Sequence, residues 1–275
     1  MPGLMDGKRG LVMGVANDHS IAWGIAKTLH DHGAKLAFTY QGDALAKRVK
    51  PLAQQAGSSL VMPCDVEDVA SVDAVFGEIK KQWGTMDFLV HAVAYSNKDE
   101  LKGRYADTTR ENFMRTMVIS CYAFTEAAKR AAALMPNGGA MLTLTYNGGM
   151  RAMPNYNAMG LAKAALEASV RYLAVDFGTS AIRVNAISAG PIRTLAGAGI
   201  GDARAMFAFQ QRHSPLHRGV TLDDLGGAGL YLLSDLSTGV TGEIHFVDSG
   251  YNVIAMPHPD ALRADQQRPP DNGDK

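Results

Sequence analysis

Gly7-Lys-Arg-Gly-Leu-Val-Met-Gly-Val-Ala16 opens the part of the sequence that decides the fold. Its apolar run predicts a short buried strand, and the polar loop Asn17-Asp-His19 leads from that strand into a helix over residues 20–32. A second apolar strand, Gly33-Ala-Lys-Leu-Ala-Phe-Thr-Tyr40, follows. These three elements predict a βαβ unit with parallel strands, whose crossover is right-handed in nearly all proteins.

The same alternation of strands and helices continues along the chain and predicts one α/β domain. The further predicted strands cover residues 59–65, 86–94, 140–146, 182–188 and 243–248. The further predicted helices include residues 69–83, 109–135, 155–177 and 222–234. We therefore expect a single Rossmann-type, doubly wound parallel sheet of about seven strands, with helices on both faces, over residues 1–256. Residues 257–275, rich in Pro, Asp, Arg and Gln, predict a polar, disordered C-terminal tail.

The composition argues against several classes of protein. The formal net charge is zero, which disfavours a nucleic-acid or anionic-membrane partner, since both attract a basic surface. The apolar run near the N-terminus is too short for a signal sequence or a membrane span. Cys64 and Cys121 are the only cysteines, and they form neither a disulfide framework nor a metal-ligand spacing. The histidines show no ligand spacing either, so we expect a cytoplasmic protein without a metal site.

The turn after the first predicted strand has features of a dinucleotide-binding site. Gly14 permits a tight turn, Ser20 is a good N-cap, and Ala22 and Gly24 allow the helix to pack close to the sheet. Free N–H groups and the helix dipole at Ser20-Ile21 would suit a pyrophosphate. A glycine-rich turn that binds nothing is the alternative interpretation.

The end of the second predicted strand indicates which dinucleotide is bound. Rossmann sites usually place an acid there for the adenosine ribose or an arginine for a 2′-phosphate, but this chain has Gln41. The Gln41 amide can bond a hydroxyl but cannot pair a phosphate charge. Lys47 and Arg48 belong to a solvated face of the next helix. NADH is therefore favoured over NADPH, and Asp65-Val66 is placed to recognise an adenine edge.

Tyr156 and Lys163 form the candidate catalytic pair. They are seven residues apart, so they lie on nearly the same face of the predicted helix, and Lys163 can lean back toward Tyr156 across Gly160. A phenol with a cation beside it is a tuned acid, because positive charge favours the phenolate. On spacing alone, two ordinary surface residues are the alternative.

A further functional segment is predicted at Leu195–Arg212. It carries glycines at 197, 199 and 201 together with scattered apolar residues and methionine. The glycines lower the cost of movement, and the apolar side chains suit the wall of an acyl-chain pocket. We interpret this segment as a mobile lid.

Three passages carry a specific resemblance to a known family. They are Gly14-Val-Ala-Asn-Asp-His-Ser-Ile-Ala-Trp-Gly24, Pro154-Asn-Tyr-Asn-Ala-Met-Gly-Leu-Ala-Lys-Ala164 and Arg183-Val-Asn-Ala-Ile-Ser-Ala-Gly-Pro-Ile-Arg-Thr194. Residues 5–256 resemble a short-chain dehydrogenase/reductase, and more narrowly the bacterial NADH-dependent enoyl-acyl-carrier-protein reductases of type II fatty-acid synthesis. Ordinary members of the superfamily space their tyrosine and lysine four apart, whereas position 160 here is glycine.

The resemblance implies a role for each central residue. Tyr156 would bond the thioester carbonyl and stabilise the enolate that forms when hydride from the nicotinamide attacks C3. Lys163 would hold the nicotinamide ribose hydroxyls and supply positive potential. Tyr146 would join this catalytic group and line the acyl slot, with Ser96 as a further substrate-binding position. A strand-end tyrosine that only packs on the following turn is the alternative for Tyr146.

The resemblance also implies a coenzyme site and partners. The matching NADH-binding positions are Gly14, Ser20, Ile21, Gln41, Asp65, Val66, Val93, Lys163, Ile192 and Thr194. The substrate would be an enoyl thioester carried on acyl carrier protein. A homotetramer is implied as well, and the predicted helices at 109–135 and 155–177 carry more apolar residues than one sheet face needs.

Three positions depart from the family pattern. Asn147 and Met150 stand where family members carry an apolar residue and usually an acid, and Asn97 is unusually polar for a position beside the pocket. These departures bear on the shape of the slot more than on hydride transfer. Two other functions stay open: a short-chain ketone or alcohol dehydrogenase, and a non-catalytic NAD(H)-binding protein.

Overall fold

The computed structural model describes residues 3–192, 203–260 and 263 of the chain. Seven strands form one sheet in the order β3-β2-β1-β4-β5-β6-β7, numbered along the chain, and every neighbouring pair is parallel. Helices cover both faces of this sheet. The predicted Rossmann-type α/β fold is therefore confirmed.

Most elements lie where the sequence predicts them. The strands are β1 (Arg9–Met13), β2 (Lys35–Tyr40), β3 (Val61–Pro63), β4 (Phe88–His91), β5 (Gly139–Thr145), β6 (Ile182–Ala189) and β7 (Ile244–Val247). The described α-helices are α1 (Ile21–Asp31), α2 (Gly42–Gln55), α3 (Val69–Trp83), α4 (Lys98–Leu101), α5 (Arg110–Met117), α6 (Ala123–Ala132), α7 (Asn157–Gly178), α8 (Ala203–His213) and α9 (Leu222–Leu233). None of them is both long and apolar enough to cross a membrane.

The apolar core has two halves, one on each face of the sheet. Alternate residues of a strand point to opposite faces, so Leu11 packs under α3, α6 and α7, whereas Val12 packs under α1, α2 and α9. Strands buried on both faces require near-continuous apolar runs. This requirement explains why the strands are the most readable elements of the sequence.

The predicted helix over residues 109–135 is not one continuous α-helix. A π-helical segment, Val118–Tyr122, separates α5 from α6. Within this segment the Ser120 hydroxyl accepts a hydrogen bond from the Tyr95 N–H at 2.9 Å and donates one to the Tyr95 carbonyl at 2.9 Å. This tertiary bond, which apolar periodicity does not reveal, ties the irregular turn to the segment after β4.

Two predicted segments fall wholly or partly outside the described residues. The lid predicted at 195–212 is described only from residue 203, where α8 begins. The tail predicted at 257–275 is described only at residues 257–260 and 263. The disordered tail therefore stays a prediction.

Helices α1 and α9 pack closely against each other through glycine. A Cβ atom added at Gly226 would lie 2.1 Å from the Thr28 Oγ1 atom and 3.1 Å from the Gly24 carbonyl oxygen. The Thr28 hydroxyl cannot simply move away, because it donates a hydrogen bond to that same carbonyl. The neighbouring Gly227 has no such contact within 4 Å.

We predict that Gly226→Ala destabilises the protein and that Gly227→Ala does not. Overpacking at Gly226 should lower the free energy of unfolding by about 1–3 kcal/mol. The same substitution at Gly227, in an open part of the helix, should raise it by up to about 1 kcal/mol, because alanine favours helix over glycine. Urea unfolding of both variants measures the difference, and equal effects would contradict the packing described here.

Candidate active site

A largely apolar pocket lies at the carboxyl edge of the sheet, where β1 and β4 are neighbours although the chain runs from β1 to β2. Ligands of open α/β sheets bind at such a switch point. The pocket has a volume of about 340 Å³. Its walls come from the ends of β1, β4, β5 and β6 and from the starts of α1, α7 and α8. Most of the wall is apolar.

The β1–α1 turn presents backbone N–H groups to this pocket. Gly14 has a φ of +99°, and a Cβ there would lie 2.3 Å from the Ala92 carbonyl oxygen, so only glycine fits. Ser20 stands at the N-cap position of α1, where the sequence predicts it. Its hydroxyl, however, makes no capping hydrogen bond to the helix. It accepts instead from the N–H groups of Ala16 at 3.0 Å and Asn17 at 3.1 Å.

The consequence is a helix start with unused donors. Among the described residues, the N–H groups of Ile21 and Ala22 have no acceptor, and both residues line the pocket. An anion placed there would meet the free donors and the positive end of the helix dipole. The residues present thus fit a dinucleotide pyrophosphate.

Four of the predicted coenzyme-binding residues lie at the ends of β2, β3 and β4. The Gln41 side chain donates a hydrogen bond to the Asp65 carboxylate at 3.0 Å, and Val66 and Val93 pack against the same half of the core. The Asp65 carboxylate beside Gln41 adds a negative charge where a 2′-phosphate would have to bind. This charge supports the predicted preference for NADH. Val93 is not part of the pocket wall, which passes from Ala92 to Ala94.

Tyr146 and Tyr156 face the pocket together. Their ring centroids are 5.2 Å apart in an edge-on arrangement. Among the described residues, the Tyr156 hydroxyl has no hydrogen-bond partner, whereas the Tyr146 hydroxyl accepts one from Gln210 Nε2 at 2.9 Å. Burial raises the pKa of Tyr156 far above its usual range, and the neighbouring Tyr146 adds to this effect. Tyr156 is therefore a protonated hydrogen-bond donor at neutral pH.

Lys163 lies at the bottom of the pocket and is only 7% exposed. Its Nζ donates a hydrogen bond to the Leu144 carbonyl at 2.7 Å. It makes no hydrogen bond to Tyr156, and the pKa of Tyr156 is raised. Burial, not the Lys163 charge, is the largest influence on the pKa of this phenol, and its tuning by an adjacent cation stays a prediction. Burial lowers the pKa of Lys163 itself from 10.5 to about 8.

The residues around Lys163 were missed by sequence analysis. Glu167 accepts a hydrogen bond from the Thr145 hydroxyl at 2.7 Å, and burial raises the pKa of its carboxyl group. Burial, followed by the charge of Lys163, lowers the pKa of His91 to about 3, so His91 is neutral. Glu167 could have been found, because it stands four residues after Lys163 on the same helical face. His91 is hidden in the apolar run of β4.

Ser96 and Asn97 behave differently from each other. Ser96 lines the pocket, and its hydroxyl is held by Thr116 at 2.9 Å and by Asn112 at 3.4 Å. Asn97 is exposed and caps α4, accepting from the Asp99 N–H at 3.1 Å. Asn97 stands between two residues of the pocket wall, Ser96 and Lys98, but it is not itself part of that wall.

The remaining departures from the family pattern do not reach the pocket wall. Asn147 is buried, and its Oδ1 atom has no hydrogen-bond partner in the described part of the chain. Met150 is exposed on the outer side of the same turn.

The last wall of the pocket comes from the segment after β6. Ile192 lines the pocket as expected, whereas Thr194 lies outside the described residues. Helix α8 contributes Met206 and Phe207. No group of three or more His, Cys, Asp or Glu residues in the described ranges could hold a metal ion.

The fold and the site define a short-chain dehydrogenase/reductase, with a dinucleotide-binding turn at one end of the pocket and a Tyr–Lys pair at the other. Residues 14–252 match the family described as Enoyl-(Acyl carrier protein) reductase. The chain belongs to this family.

Individual relatives agree with that assignment. Over 263 residues the chain is 71% identical to "Enoyl-[acyl-carrier-protein] reductase [NADH] 2" of Rhizobium meliloti (strain 1021), covering 96% of this chain and 98% of that protein. The crystal structure of FabI from Candidatus Liberibacter asiaticus is 60% identical with a TM-score of 0.92, covering 94% of this chain and all of that one (100%). The crystal structure of an enoyl-(acyl-carrier-protein) reductase from Anaplasma phagocytophilum in complex with NAD is 55% identical with a TM-score of 0.91, covering 94% of this chain and 98% of that one.

We predict that Lys163→Met makes the protein more stable at pH 7 when no coenzyme is added. The lowered pKa of Lys163 means that the unfolded chain binds its proton more tightly than the folded one. This difference corresponds to about 3 kcal/mol below pH 8, partly offset by about 1 kcal/mol for the bond to Leu144. The wild type should gain stability relative to Lys163→Met as pH rises from 8 to 10.5.

Urea unfolding at pH 7 and pH 10 measures this change. Lys80→Met, on the exposed side of α3, is the matched control and should show no comparable pH dependence. A stability difference between wild type and Lys163→Met that is the same at both pH values would contradict the lowered pKa of the buried Lys163 amine.

Proposed function

We propose that this protein reduces a trans-2-enoyl thioester, carried on acyl carrier protein, in type II fatty-acid synthesis. NADH supplies a hydride to C3 of the enoyl group, C2 takes up a proton, and NAD⁺ and the saturated acyl thioester are the products. The observation that carries the proposal is the seven-residue Tyr156–Lys163 spacing, with the free Tyr156 hydroxyl facing an apolar pocket beside a dinucleotide-binding turn.

The structure explains why the common four-residue spacing is excluded here. A Cβ atom at position 160 would lie 2.9 Å from the Gly148 carbonyl oxygen. A lysine at this position would therefore collide with the turn after β5. This contact disfavours the ketone or alcohol dehydrogenase alternative, which expects that spacing.

Tyr156 is the proposed stabiliser of the enolate. Attack of hydride on C3 moves negative charge onto the thioester oxygen, and a fixed hydroxyl aimed at that oxygen is worth most in the transition state. The raised pKa of Tyr156 suits this role, because the residue keeps its proton at neutral pH and can donate a hydrogen bond. Burial of the phenol excludes water that would compete for the same oxygen.

Lys163 is the proposed ligand of the nicotinamide ribose. Its amine is buried at the pocket floor and donates one hydrogen bond to the Leu144 carbonyl. Its two remaining hydrogens are available to a ligand in the pocket. Burial lowers the pKa of Lys163 to about 8, and the charge of the nearby Glu167 carboxyl opposes this shift and favours the charged form. Because this pKa is still above 7, Lys163 is mostly charged at neutral pH and can supply positive potential.

The proposed substrate is matched by the other wall of the pocket. Leu101, Tyr156 and Met159 form a small buried apolar cluster, against which Tyr146 and Met153 pack. Met206 and Phe207 of α8 close the opposite side. An acyl chain lying between them would bury apolar surface at about 25 cal/mol per Å².

We predict that substitutions of Tyr156 and Lys163 fail in different ways. Tyr156→Phe should keep nearly the same affinity for NADH but lose a hundredfold or more in single-turnover rate, since one oxyanion donor is worth on the order of 3 kcal/mol. The loss will be smaller if Tyr146 substitutes as donor. Lys163→Ala should weaken NADH binding strongly, and Lys163→Arg should restore it only in part, because its planar fork differs from a compact ammonium.

Fluorescence titration with NADH and rapid-mixing kinetics with crotonyl thioester separate the two effects. Tyr231→Phe on α9, outside the pocket wall, is the control and should resemble the wild type. Loss of NADH binding in Tyr156→Phe with an unchanged chemical rate would reverse the proposed roles.

The proposed assembly is a homotetramer in the cytoplasm. Large apolar residues are exposed along the outer faces of α5, the π-helical segment and α7; they are Met114, Val118, Tyr122, Leu161, Tyr172 and Val175. Such helix faces commonly pair across two-fold axes. Cys64 and Cys121 are both free thiols, which suits a reducing compartment.

We predict that Val175→Glu disrupts this assembly. Val175 is 79% exposed in the single chain, and a carboxylate there would be desolvated by a partner helix. Val69→Glu, at the start of α3 and also exposed, is the matched control. Sedimentation at micromolar concentration should show a tetramer for the wild type and the control, and smaller species for Val175→Glu. A monomeric wild type would contradict the proposed assembly.

A further inference from the structure

We propose that Gln210 is a positioning residue that directs the hydroxyl hydrogen of Tyr146 toward the substrate. Gln210 belongs to α8, was not identified from the sequence, and is buried with 5% exposure. Its Nε2 atom donates a hydrogen bond of 2.9 Å to the Tyr146 hydroxyl oxygen. This inference rests on the proposed reduction of an enoyl thioester and adds a second donor to it.

The hydrogen-bonding capacity of a phenol limits where its hydrogen can point. A tyrosine hydroxyl has one hydrogen to donate and a limited number of acceptor positions. When an amide N–H occupies an acceptor position, the hydroxyl hydrogen must turn elsewhere. In this protein the Tyr146 ring is also fixed, because it stands edge-on to Tyr156 at 5.2 Å. The hydroxyl hydrogen is therefore left to point into the pocket that both rings line.

The group that would receive this hydrogen is the thioester oxygen. Tyr156 is proposed to donate to that oxygen, and the two phenols are close enough for Tyr146 to raise the pKa of Tyr156 electrostatically. Two donors aimed at one developing oxyanion are the arrangement found in oxyanion holes. A Tyr146 hydroxyl turned toward α8 instead would add nothing to that charge.

Helix α8 carries both this bond and part of the pocket wall. Met206, Phe207 and Gln210 lie on one face of the helix, since residues three and four apart are neighbours on a helical surface. The first two side chains form the apolar wall, and the third holds Tyr146. The same helix therefore supplies part of the apolar wall and the donor that holds Tyr146.

Other titratable groups near Tyr146 do not compete for its hydrogen. Asp248 and Tyr251 influence the Tyr146 pKa through charge. In the described part of the chain, however, neither group forms a hydrogen bond with Tyr146; the Asp248 carboxylate accepts instead from the N–H groups of Gly250 at 3.0 Å and Asn252 at 2.8 Å and from the Asn252 side-chain amide at 3.1 Å. Within the described residues, Gln210 is the hydrogen-bond partner of the Tyr146 hydroxyl.

Two substitutions at Gln210 test the inference, each made alone and together with Tyr146→Phe. Gln210→Met keeps the length of the side chain but removes the donor. It should lower the single-turnover rate with crotonyl thioester by about three- to tenfold, the value of one neutral hydrogen bond, and leave NADH affinity unchanged. In the Tyr146→Phe background, Gln210→Met should have no further effect, because no hydroxyl remains to be directed.

Gln210→Glu provides a pH signature that a merely structural role would not produce. At low pH the protonated carboxyl can still donate to Tyr146, so the rate should approach that of wild type. As pH rises, the carboxylate can only accept, and it should draw the Tyr146 hydrogen away from the pocket. The rate should then fall below that of Gln210→Met. This pH dependence should vanish in the double variant with Tyr146→Phe.

The matched controls are Gln211→Met and Gln211→Glu, at the exposed neighbouring position of α8, and neither should change the rate. Equal losses for Gln210→Met with and without the Tyr146 hydroxyl would overturn the inference, as would a pH profile for Gln210→Glu that matches the wild type. If the wild type itself reduces no enoyl thioester, the proposed function is wrong, which is a different result from failure of the Gln210 variants alone.

Discussion

The site depends on one close approach between backbone segments. The turn at residues 147–149 lies directly on the first turns of α7, and glycine is required on both sides of the contact. A Cβ at Gly148 would lie 2.5 Å from the Tyr156 ring, and one at Gly149 would lie 2.8 Å from Glu167 Oε1. This contact brings the end of β5, which carries Tyr146, against the helix that carries Tyr156 and Lys163. Larger side chains here would separate the three residues.

The same contact also buries ionisable groups below the two tyrosines. An amine, a carboxyl and an imidazole are buried together around Lys163, and a buried charge is costly unless it is paired. This cost is lowered in part because His91 is neutral and because Lys163 donates a hydrogen bond to a backbone carbonyl. The hydrogens of the Lys163 amine that are not used in this bond favour a ligand with hydroxyl groups. The polar floor of the pocket therefore suits the hydroxyl groups of a coenzyme, and the apolar walls suit an acyl chain.

Sequence analysis predicted the fold because parallel strands buried on both faces leave long apolar runs. The dinucleotide-binding turn, Gln41 beside Asp65, and Tyr146 beside Tyr156 were also predictable, because each follows a strand end that the fold brings to one edge. Side-chain hydrogen bonds were not. Ser20 bonds backward to its own loop, Asn97 caps a short helix, and Gln210 comes from a helix more than sixty residues away from Tyr146 in sequence. These partners depend on rotamers and tertiary placement, which periodicity does not encode.

The π-helical segment at Val118–Tyr122 has a consequence for how this chain can vary in length. A π turn holds one residue more than an α turn, so deletion of a single residue there would restore a regular helix. Each residue of an α-helix corresponds to a rotation of about 100°. Because the wide turn takes up the extra residue, the deletion would leave Phe124, Ala127 and Ala131 facing the sheet, but it would release Ser120 from Tyr95. The length of this helix can therefore change by one residue at the π-helical segment without turning its apolar face away from the sheet, whereas a deletion within α6 itself would rotate the residues that follow by about 100°.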